Sequence, residues 1–248
     1  RPVRAAMNRL PILDPRRPDA FPDPQHAFAE PNGLLAAGGD LSPQRLLHAY
    51  ARGIFPWYGE GEPILWWSPD PRCVFRTDRM HLSRRLARTL RGSRWTISAD
   101  AAFGAVVSAC GAPRARQSGT WITRAMHAAY VRLHALGHAH SVEVWDGEAL
   151  VGGIYGVALG RMFCGESMFS RAENGSKVAL LALGRALHGW GFPLLDAQVT
   201  NPHLLRMGAI EMPRAEYLAE LKRLAALPGV TGDWGPRFPL RRAAELAP

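Results

Sequence analysis

The sequence predicts an α+β fold in two parts. These are a small, proline-rich N-terminal lobe over residues 1–71 and a larger domain over residues 72–248, built as a mixed sheet flanked by helices. Twelve of the 20 prolines lie in the first 71 residues, which leaves little room there for uninterrupted helix or central strand. From about residue 72, helical and strand-like patterns alternate along the chain. A length of 248 residues suits one large domain or two modest ones.

One helix is predicted in the N-terminal lobe, within DLSPQRLLHAYARG. Ser42 can cap its first turn, and Pro43 suits the first helical position. Leu47 and Tyr50 provide an apolar face, and Gly53 ends the pattern.

The larger domain begins with a helical pattern in MHLSRRLARTLRG, where leucines 82, 86 and 90 recur every four residues. Thr123 can then cap a second helix, which closes at Gly137. The segment SVEVWDGEALVGGIYGVALGRMFCGESMF predicts a meander of three antiparallel strands, with Asp146 and Gly147 as a hairpin turn. The stretch SKVALLALGRALHGWG is apolar nearly all round, so a buried helix is expected there.

The last predicted elements are short. LLDAQV is a strand, NPHLLRMG a capped helical turn, AIEM a strand, and AEYLAELKRLAAL a closing amphipathic helix. The order of helix, meander, helix, strand, helix and strand is the order expected of N-acetyltransferase-like (GNAT-type) acyltransferases. This analogy concerns the fold and says little about the chemistry.

The composition is typical of a soluble globular protein, with 47% apolar and 21% charged residues. No apolar run approaches the roughly 20 residues of a membrane span, so a cytoplasmic protein with no membrane partner is expected. The cysteines at 73, 110 and 164 are odd in number and form no C-x-x-C motif. They indicate reduced thiols, and neither a disulfide framework nor a zinc site.

Positive charge is concentrated in one stretch. The chain has 30 basic and 21 acidic residues, a net charge of +9. Eight arginines lie between Arg72 and Arg94, against the single acid Asp78. A charge run is usually a solvated face, but such faces normally mix signs, so this imbalance favours phosphate binding. It does not distinguish RNA from DNA or lipid.

Four tryptophans, at 57, 66, 67 and 121, lie in segments flanked by proline or glycine. A single tryptophan is usually part of the core. Several near a basic helix could instead stack on the unpaired bases of a single-stranded RNA end.

Three polar side chains lie within apolar strands. Alternation in LLDAQV places Asp196 and Gln198 on one face, two residues apart, and Glu166 lies in FCGESMF. Each carboxylate must be paired or hydrogen-bonded, because burying it alone is prohibitive. Asp196 either holds a loop or orients Gln198, or a substrate amine, at the open end of the sheet. The same two interpretations apply to Glu166.

Several common motifs are absent from the sequence. There is no G-x-S-x-G, no Walker loop and no G-x-G-x-x-G, which excludes the common hydrolase, kinase and dehydrogenase classes. His138 and His140 have no third ligand at a useful spacing, so no metal site is expected.

Long motifs run in one order through most of the chain: FPDPQHAFAEPNGLLAAGGDLS, GIFPWY, ILWWSPDPR, GTWIT, LGHAHSVEVW, GGIYGV, FCGESMFS, LLDAQ and MGAIEMPR. From about Phe21 to Leu224, they resemble the leucyl/phenylalanyl-tRNA–protein transferase family. The resemblance implies transfer of Leu, Phe or Met from aminoacyl-tRNA to the free N-terminus of proteins that begin with Arg or Lys, which marks them for degradation. It implies no metal or nucleotide cofactor.

The resemblance also implies roles for individual residues. Asp196 and Gln198 match the family's proposed catalytic relay, and Glu166 matches its acceptor-binding carboxylate. The aminoacyl side-chain pocket would be lined by Ile154, Phe163, Met168 and Leu195. Trp121 would stack on the terminal adenosine of the tRNA, with Trp57 near the same site. Where the family has lysines that bind tRNA phosphates, this chain has arginines, among them Arg76, Arg84, Arg85 and Arg88.

The residues agree with this chemistry, because an aminoacyl ester is already activated and its transfer to an amine needs no covalent nucleophile. Two alternatives remain. A coenzyme-A-dependent N-acetyltransferase would need a glycine-rich pyrophosphate loop, but SRAENGSK offers only Gly175. A non-catalytic RNA-binding protein would need only the arginines and tryptophans, and Asp196, Gln198 and Glu166 would then be structural.

Overall fold

The computed structural model describes residues 10–112 and 122–247, and these form two mixed sheets and seven α-helices. The helices are α1 (Pro43–Ala51), α2 (Arg84–Arg91), α3 (Phe103–Cys110), α4 (Arg124–Ala135), α5 (Gly175–Gly189), α6 (Pro202–Arg206) and α7 (Arg214–Ala225). The architecture is therefore a mixed α/β one, in which helices pack against both sheets.

The first sheet is formed by four strands between residues 12 and 67. Its strands are β1 (Ile12–Leu13), β2 (Leu34–Gly38), β3 (Phe55–Pro56) and β4 (Leu65–Trp67), in the spatial order β1-β2-β4-β3. Helix α1 follows β2, and the Ser42 hydroxyl accepts a hydrogen bond from the backbone N–H of Arg45. This confirms the predicted cap, and Pro43 is the first helical residue as expected.

The second sheet has seven strands in the order β11-β5-β10-β9-β8-β7-β6. They are β5 (Arg72–Arg76), β6 (Thr96–Ala99), β7 (Ala139–Asp146), β8 (Ala149–Leu159), β9 (Met162–Ser170), β10 (Leu194–Gln198) and β11 (Ile210–Met212). Strands β9 and β10 are parallel, and every other neighbouring pair is antiparallel. The parallel pair needs a crossover, which the buried helix α5 provides.

The predicted meander, buried helix, short strands and closing helix are all present, as β7–β9, α5, β10, β11 and α7. The predicted leucine helix is shorter than expected. Ser83 caps it by accepting the backbone N–H of Leu86, so α2 begins at Arg84 and Leu82 lies before it. Strands β5 and β6 and helix α3 were not predicted, because their short segments carry no clear period or cap.

The parallel strands β9 and β10 pair over only three residues each, Met162–Cys164 with Leu194–Asp196, and then separate. Both strands are irregular where they separate. Glu166 is the extra residue of a bulge in β9, between the pairs Tyr155–Ser167 and Gly156–Gly165. In β10 the register shifts between Asp196 and Gln198, and Gln198 has a positive φ of 63°. The two bulges open the sheet and redirect the side chains beside the opening.

The seven-stranded sheet buries both faces, since neighbouring residues of β8 belong to different cores. Tyr155 packs with α1, α3 and α4, whereas Ile154 packs with α2 and α5. Helix α5 approaches the sheet closely because glycines meet at the contact. A Cβ on Gly152 would lie 2.4 Å from the carbonyl carbon of Gly175 at the start of α5.

We expect Gly152→Ala to lower the free energy of unfolding by about 1–3 kcal/mol, because the added methyl group must push α5 away from the sheet. Gly104 in α3 is the matched control, since a Cβ there meets nothing within 4 Å. Gly104→Ala should be neutral or stabilise by up to about 1 kcal/mol. Urea unfolding measures both changes, and equal tolerance at the two positions would contradict the close contact.

Candidate active site

A cleft of about 1750 Å³ opens where β9 and β10 separate. One wall comes from β3 and β4 of the first sheet, and the other from β9 and β10 of the second sheet and from α6. The polar side chains at its base include Glu166 and Gln198. A concave, largely apolar cleft with a few convergent polar groups is the usual form of a ligand site.

A buried ion pair lies behind this cleft. The guanidinium of Arg72 in β5 donates from Nε to Asp196 Oδ1 at 2.8 Å and from Nη2 to Oδ2 at 2.7 Å. Its Nη1 donates to the backbone oxygen of Gly53 at 3.0 Å. Both charged side chains are almost completely buried. Burial opposes the charge of Arg72, but the Asp196 carboxylate outweighs it and raises the pKa of the guanidinium.

Asp196 has no contact left for a substrate. Besides the two bonds from Arg72, it accepts the hydroxyl of Tyr217 at Oδ2 and the backbone N–H of Gln198 at Oδ1, both at 2.9 Å. Asp196 is fully buried and does not line the cleft, whereas Gln198 does. The bulge in β10 breaks the simple alternation expected of these two residues. Asp196 contacts Gln198 at its backbone N–H, and this hydrogen bond stabilises the unusual left-handed conformation of Gln198.

Glu166 accepts hydrogen bonds from three side chains. Its Oε1 accepts from the hydroxyl of Tyr50 at 2.6 Å and from Nε2 of Gln198 at 2.8 Å, and its Oε2 accepts from the hydroxyl of Tyr130 at 2.8 Å. Burial outweighs these hydrogen bonds, and the pKa of Glu166 rises to about 7. Glu166 can therefore gain or lose a proton near neutral pH.

The apolar part of the cleft contains three of the four expected pocket residues. Ile154 and Met168 face each other across β8 and β9, and Leu195 lies on β10. The fourth, Phe163, pairs with Leu195 in the sheet but does not line the cleft, because it is buried against Trp234 at 5.7 Å between ring centroids. Further apolar lining residues are Phe75, Leu180 and Leu204.

The tryptophans divide between core and cleft. Trp66 is fully buried against Phe21. Trp57 lines the cleft with 43% of its surface exposed and packs at 5.6 Å against Trp67, which also lines it. Trp121 lies outside the described residues.

The arginines of the basic stretch also lie in different environments, one buried and the others exposed. Arg72 is buried in its ion pair and cannot contact a phosphate. Arg76 is exposed and forms an ion pair with Asp78 at 3.5 Å. Arg84, Arg85 and Arg88 of α2 are exposed and form no ion pair with the other described residues, while Leu86 and Leu90 face the core. Helix α2 is therefore amphipathic, with arginines on its outer face.

Sequence reasoning missed four residues that build the site. The sequence pattern predicts Tyr50 only as an apolar position of its helix and Arg72 only as part of the basic stretch, and it predicts no role in the site for Tyr130 or Tyr217. The available signal was chemical, because a buried tyrosine hydroxyl needs a polar partner, and each buried carboxylate in β9 and β10 needs a donor.

Within residues 10–112 and 122–247, no group of three or more His, Cys, Asp or Glu side chains could hold a metal ion. His140 instead pairs with Asp100 at 2.8 Å and stacks on Trp234. None of the helices described is long and apolar enough to cross a membrane.

An apolar cleft with a titratable carboxylate at its base is a site suited to general acid–base catalysis. Comparison with known families makes this specific. The family model described as leucyl/phenylalanyl-tRNA protein transferase matches residues 74–222, and the model of its N-terminal domain matches residues 39–70.

Individual relatives agree with the family models. A leucyl/phenylalanyl-tRNA–protein transferase from Xanthomonas oryzae pv. oryzae is 62% identical over 227 residues, 91% of each chain. One from Xylella fastidiosa is 56% identical over 236 residues, 95% of this chain and 97% of the other. The chain belongs to the leucyl/phenylalanyl-tRNA–protein transferase family, a family of aminoacyltransferases.

A comparison with solved structures finds a conserved protein of unknown function from Staphylococcus epidermidis. The TM-score is 0.37 at 10% identity, and the match covers 73% of this chain and 68% of the other. Similarity at this level does not define a common fold.

We expect Asp196→Asn to lower the free energy of unfolding by about 3 kcal/mol, because the buried guanidinium of Arg72 loses its counter-charge. Asp78→Asn is the control, since it removes a carboxylate from the exposed pair with Arg76 and should cost less than about 1 kcal/mol. Chemical denaturation of both variants tests this. Equal losses would mean that the buried pair contributes no more than an exposed one.

Proposed function

We propose that the protein transfers Leu, Phe or Met from aminoacyl-tRNA to the α-amino group of proteins that begin with Arg or Lys, in the cytoplasm, and so marks them for degradation. The observation that carries this proposal is the Gln198–Glu166 pair at the base of a cleft with an apolar pocket, in a chain of this family. The reaction needs no metal or nucleotide cofactor, because the ester bond to tRNA is already activated.

The cleft supports each part of the reaction. The aminoacyl side chain lies among Ile154, Met168 and Leu195, which are apolar and line the cleft. Phe163 supports this pocket from behind, since it neighbours Leu195 in the sheet. The acceptor amine approaches Gln198, whose side-chain oxygen has no partner among the described residues while its Nε2 donates to Glu166. Positioning of amine and ester is the main contribution of such a site.

Asp196 supports this arrangement indirectly. It holds the backbone of Gln198 and does not reach the cleft, so we assign it a positioning role. The substrate-contacting roles fall to Gln198 and Glu166.

The acceptor preference follows from charge. Among the described residues, the cleft is lined by three carboxylates, Glu60 and Glu62 from the loop between β3 and β4, and Glu166, and by one arginine, Arg124. A positively charged first residue such as Arg or Lys is favoured beside them, whereas an acidic one is repelled.

The tRNA contacts both lobes in this proposal. Its terminal adenosine stacks on Trp57, which Trp67 supports, and on Trp121. The tRNA phosphates bind the exposed arginines Arg76, Arg84, Arg85 and Arg88. The +9 charge of the chain and the exposed arginines Arg84, Arg85 and Arg88 on the outer face of α2 support such contacts.

The fold arrangement that fits these roles is an N-acetyltransferase-like domain over residues 72–248 with a small lobe over residues 1–71. Supporting observations are the antiparallel meander β7–β9, the crossover helix α5, and the parallel strand β10 that separates from β9 beside the cleft. The two sheets share no strand within the described parts of the chain.

The first test is transfer of radiolabelled leucine from leucyl-tRNA to a peptide that begins with Arg. We expect the parent to transfer leucine to the peptide and to transfer no acetyl group from acetyl-CoA. Gln198→Ala should lower kcat for leucine transfer by about 10²-fold. Gln25→Ala is the matched control, because this exposed glutamine lies outside the cleft. Absence of transfer by the parent, with acetylation in its place, would contradict the proposal.

The second test concerns the arginines of α2. Arg84→Ala or Arg88→Ala should weaken binding of different tRNAs alike and reduce the slope of log affinity against log salt by about 1, because one phosphate contact is lost. Arg223→Ala serves as the control, since this arginine lies on α7 in an ion pair with Glu220. Unchanged slopes for both α2 variants would remove this helix from the tRNA interface.

A further inference from the structure

Three oxygen-bearing groups form a closed triangle at the base of the cleft. The hydroxyl oxygens of Tyr50 and Tyr130 lie 2.6 Å apart. Tyr50 is 2.6 Å from Oε1 of Glu166, and Tyr130 is 2.8 Å from Oε2. Each of these separations is that of an O–H···O hydrogen bond, so three bonds require three protons.

The two phenols provide only two of these protons. Burial, followed by the charge of Glu166, raises the pKa of Tyr50 and Tyr130 far above the usual value, so both remain protonated near neutral pH. If Glu166 is ionised, both phenols donate to it, and the contact between the two hydroxyl oxygens has no proton. If Glu166 is protonated, the bonds run in one direction round the triangle and all three contacts are satisfied.

Burial of Glu166 favours this third proton, whereas the hydrogen bonds that it accepts from Tyr50, Tyr130 and Gln198 oppose it. Tyr50 faces it from α1, Tyr130 from α4, Tyr155 from β8, and Gln198 from the end of β10. Asp196 adds negative charge that raises the pKa of Glu166 after the effect of burial, and its own counter-charge, Arg72, is bound to it in a bidentate pair. Cys164 of β9 is also close enough to interact with Glu166.

We propose that Tyr50, Tyr130 and Glu166 act as one proton-accepting unit, in which Glu166 takes the proton of the attacking amine and the two tyrosines hold that proton in a closed ring. This inference rests on the proposed function and adds Tyr50 and Tyr130 to it as positioning residues. Glu166 is suited to the task because it lines the cleft and is bonded to Gln198.

The step balances without another reactant. The neutral amine nitrogen bonds to the ester carbonyl carbon and gives one proton to the ionised Glu166. The bond from that carbon to the ribose oxygen of the tRNA then breaks, and Glu166 returns the proton to this oxygen. The products are an amide and a free hydroxyl group, and Glu166 is ionised again. An accepting group whose proton affinity is close to that of an α-amino group makes the transfer nearly balanced in energy.

The ring of hydrogen bonds between Tyr50, Tyr130 and Glu166 is tested by the direction in which the protonation midpoint of Glu166 shifts when one tyrosine hydroxyl is removed. In protein labelled with ¹³C at the glutamate carboxyl, Glu166 is assigned by the signal that Glu166→Gln lacks, and its protonation midpoint is measured by NMR. Tyr50→Phe and Tyr130→Phe each remove two of the ring's three hydrogen bonds from the protonated form but only one from the ionised form, so the midpoint falls by about one pH unit. If the tyrosines act only as donors to a carboxylate, the same variants raise the midpoint, and the proposal is overturned.

Tyr155→Phe is the matched control. Tyr155 is buried and packs on Tyr130 at 5.3 Å, but its hydroxyl has no hydrogen-bond partner among the described residues. Its removal should leave the midpoint and the transfer rate unchanged. Far-UV circular dichroism checks that each variant is folded, and if one ring variant does not fold, the other still reports the direction.

Transfer assays on the same samples separate this inference from the proposed function. The acid limb of kcat/KM should shift in the ring variants in the same direction as the NMR midpoint. A parent that transfers leucine while Glu166 stays ionised between about pH 5 and about pH 9 would overturn the ring and leave the function standing. A parent that transfers no amino acid would contradict the function itself.

Discussion

The ion pair between Arg72 and Asp196 is the contact on which the rest of the site depends. It joins β5 to β10 across 124 residues of sequence. Arg72 also donates to Gly53, just after α1, and Asp196 also accepts from Tyr217 of α7. The guanidinium lies over the rings of Phe55 and Tyr217, at 4.9 and 4.5 Å. A charge buried this deeply is stable only when it is paired and hydrogen-bonded, so the four segments must be in place together around the guanidinium.

From this pair a continuous polar path runs through the interior to the base of the cleft. Asp196 holds the backbone of Gln198, the Gln198 side chain donates to Glu166, and Glu166 is bonded to Tyr50 of α1 and Tyr130 of α4. Helix α1 therefore takes part in the site, since Tyr50 completes the hydrogen bonding of the carboxylate. Networks of this kind fix geometry when every member is satisfied.

Much of the fold could be predicted from local sequence, because caps, periods and turns act over a few residues. Ser42 and Thr123 cap helices as expected, and the apolar stretch from residue 176 is a buried helix. The site was predicted in part: Glu166, Gln198 and Leu195 meet at the cleft, but Phe163 lies behind it and Asp196 points away from it. These differences arise from two bulges and from the partner of Asp196, which a single sequence does not specify because the contacts are long-range and the strand alternation is broken.

The central claim is that Asp196 does not contact the substrate and acts on catalysis chiefly through the position of Gln198. A double-mutant cycle on kcat for leucine transfer tests this most directly, using Asp196→Asn, Gln198→Ala and the combined variant, with each rate corrected for the folded fraction. The account predicts that the combined variant is no slower than Gln198→Ala alone. A combined loss equal to the product of the two single losses would show that Asp196 contributes independently and would contradict the account.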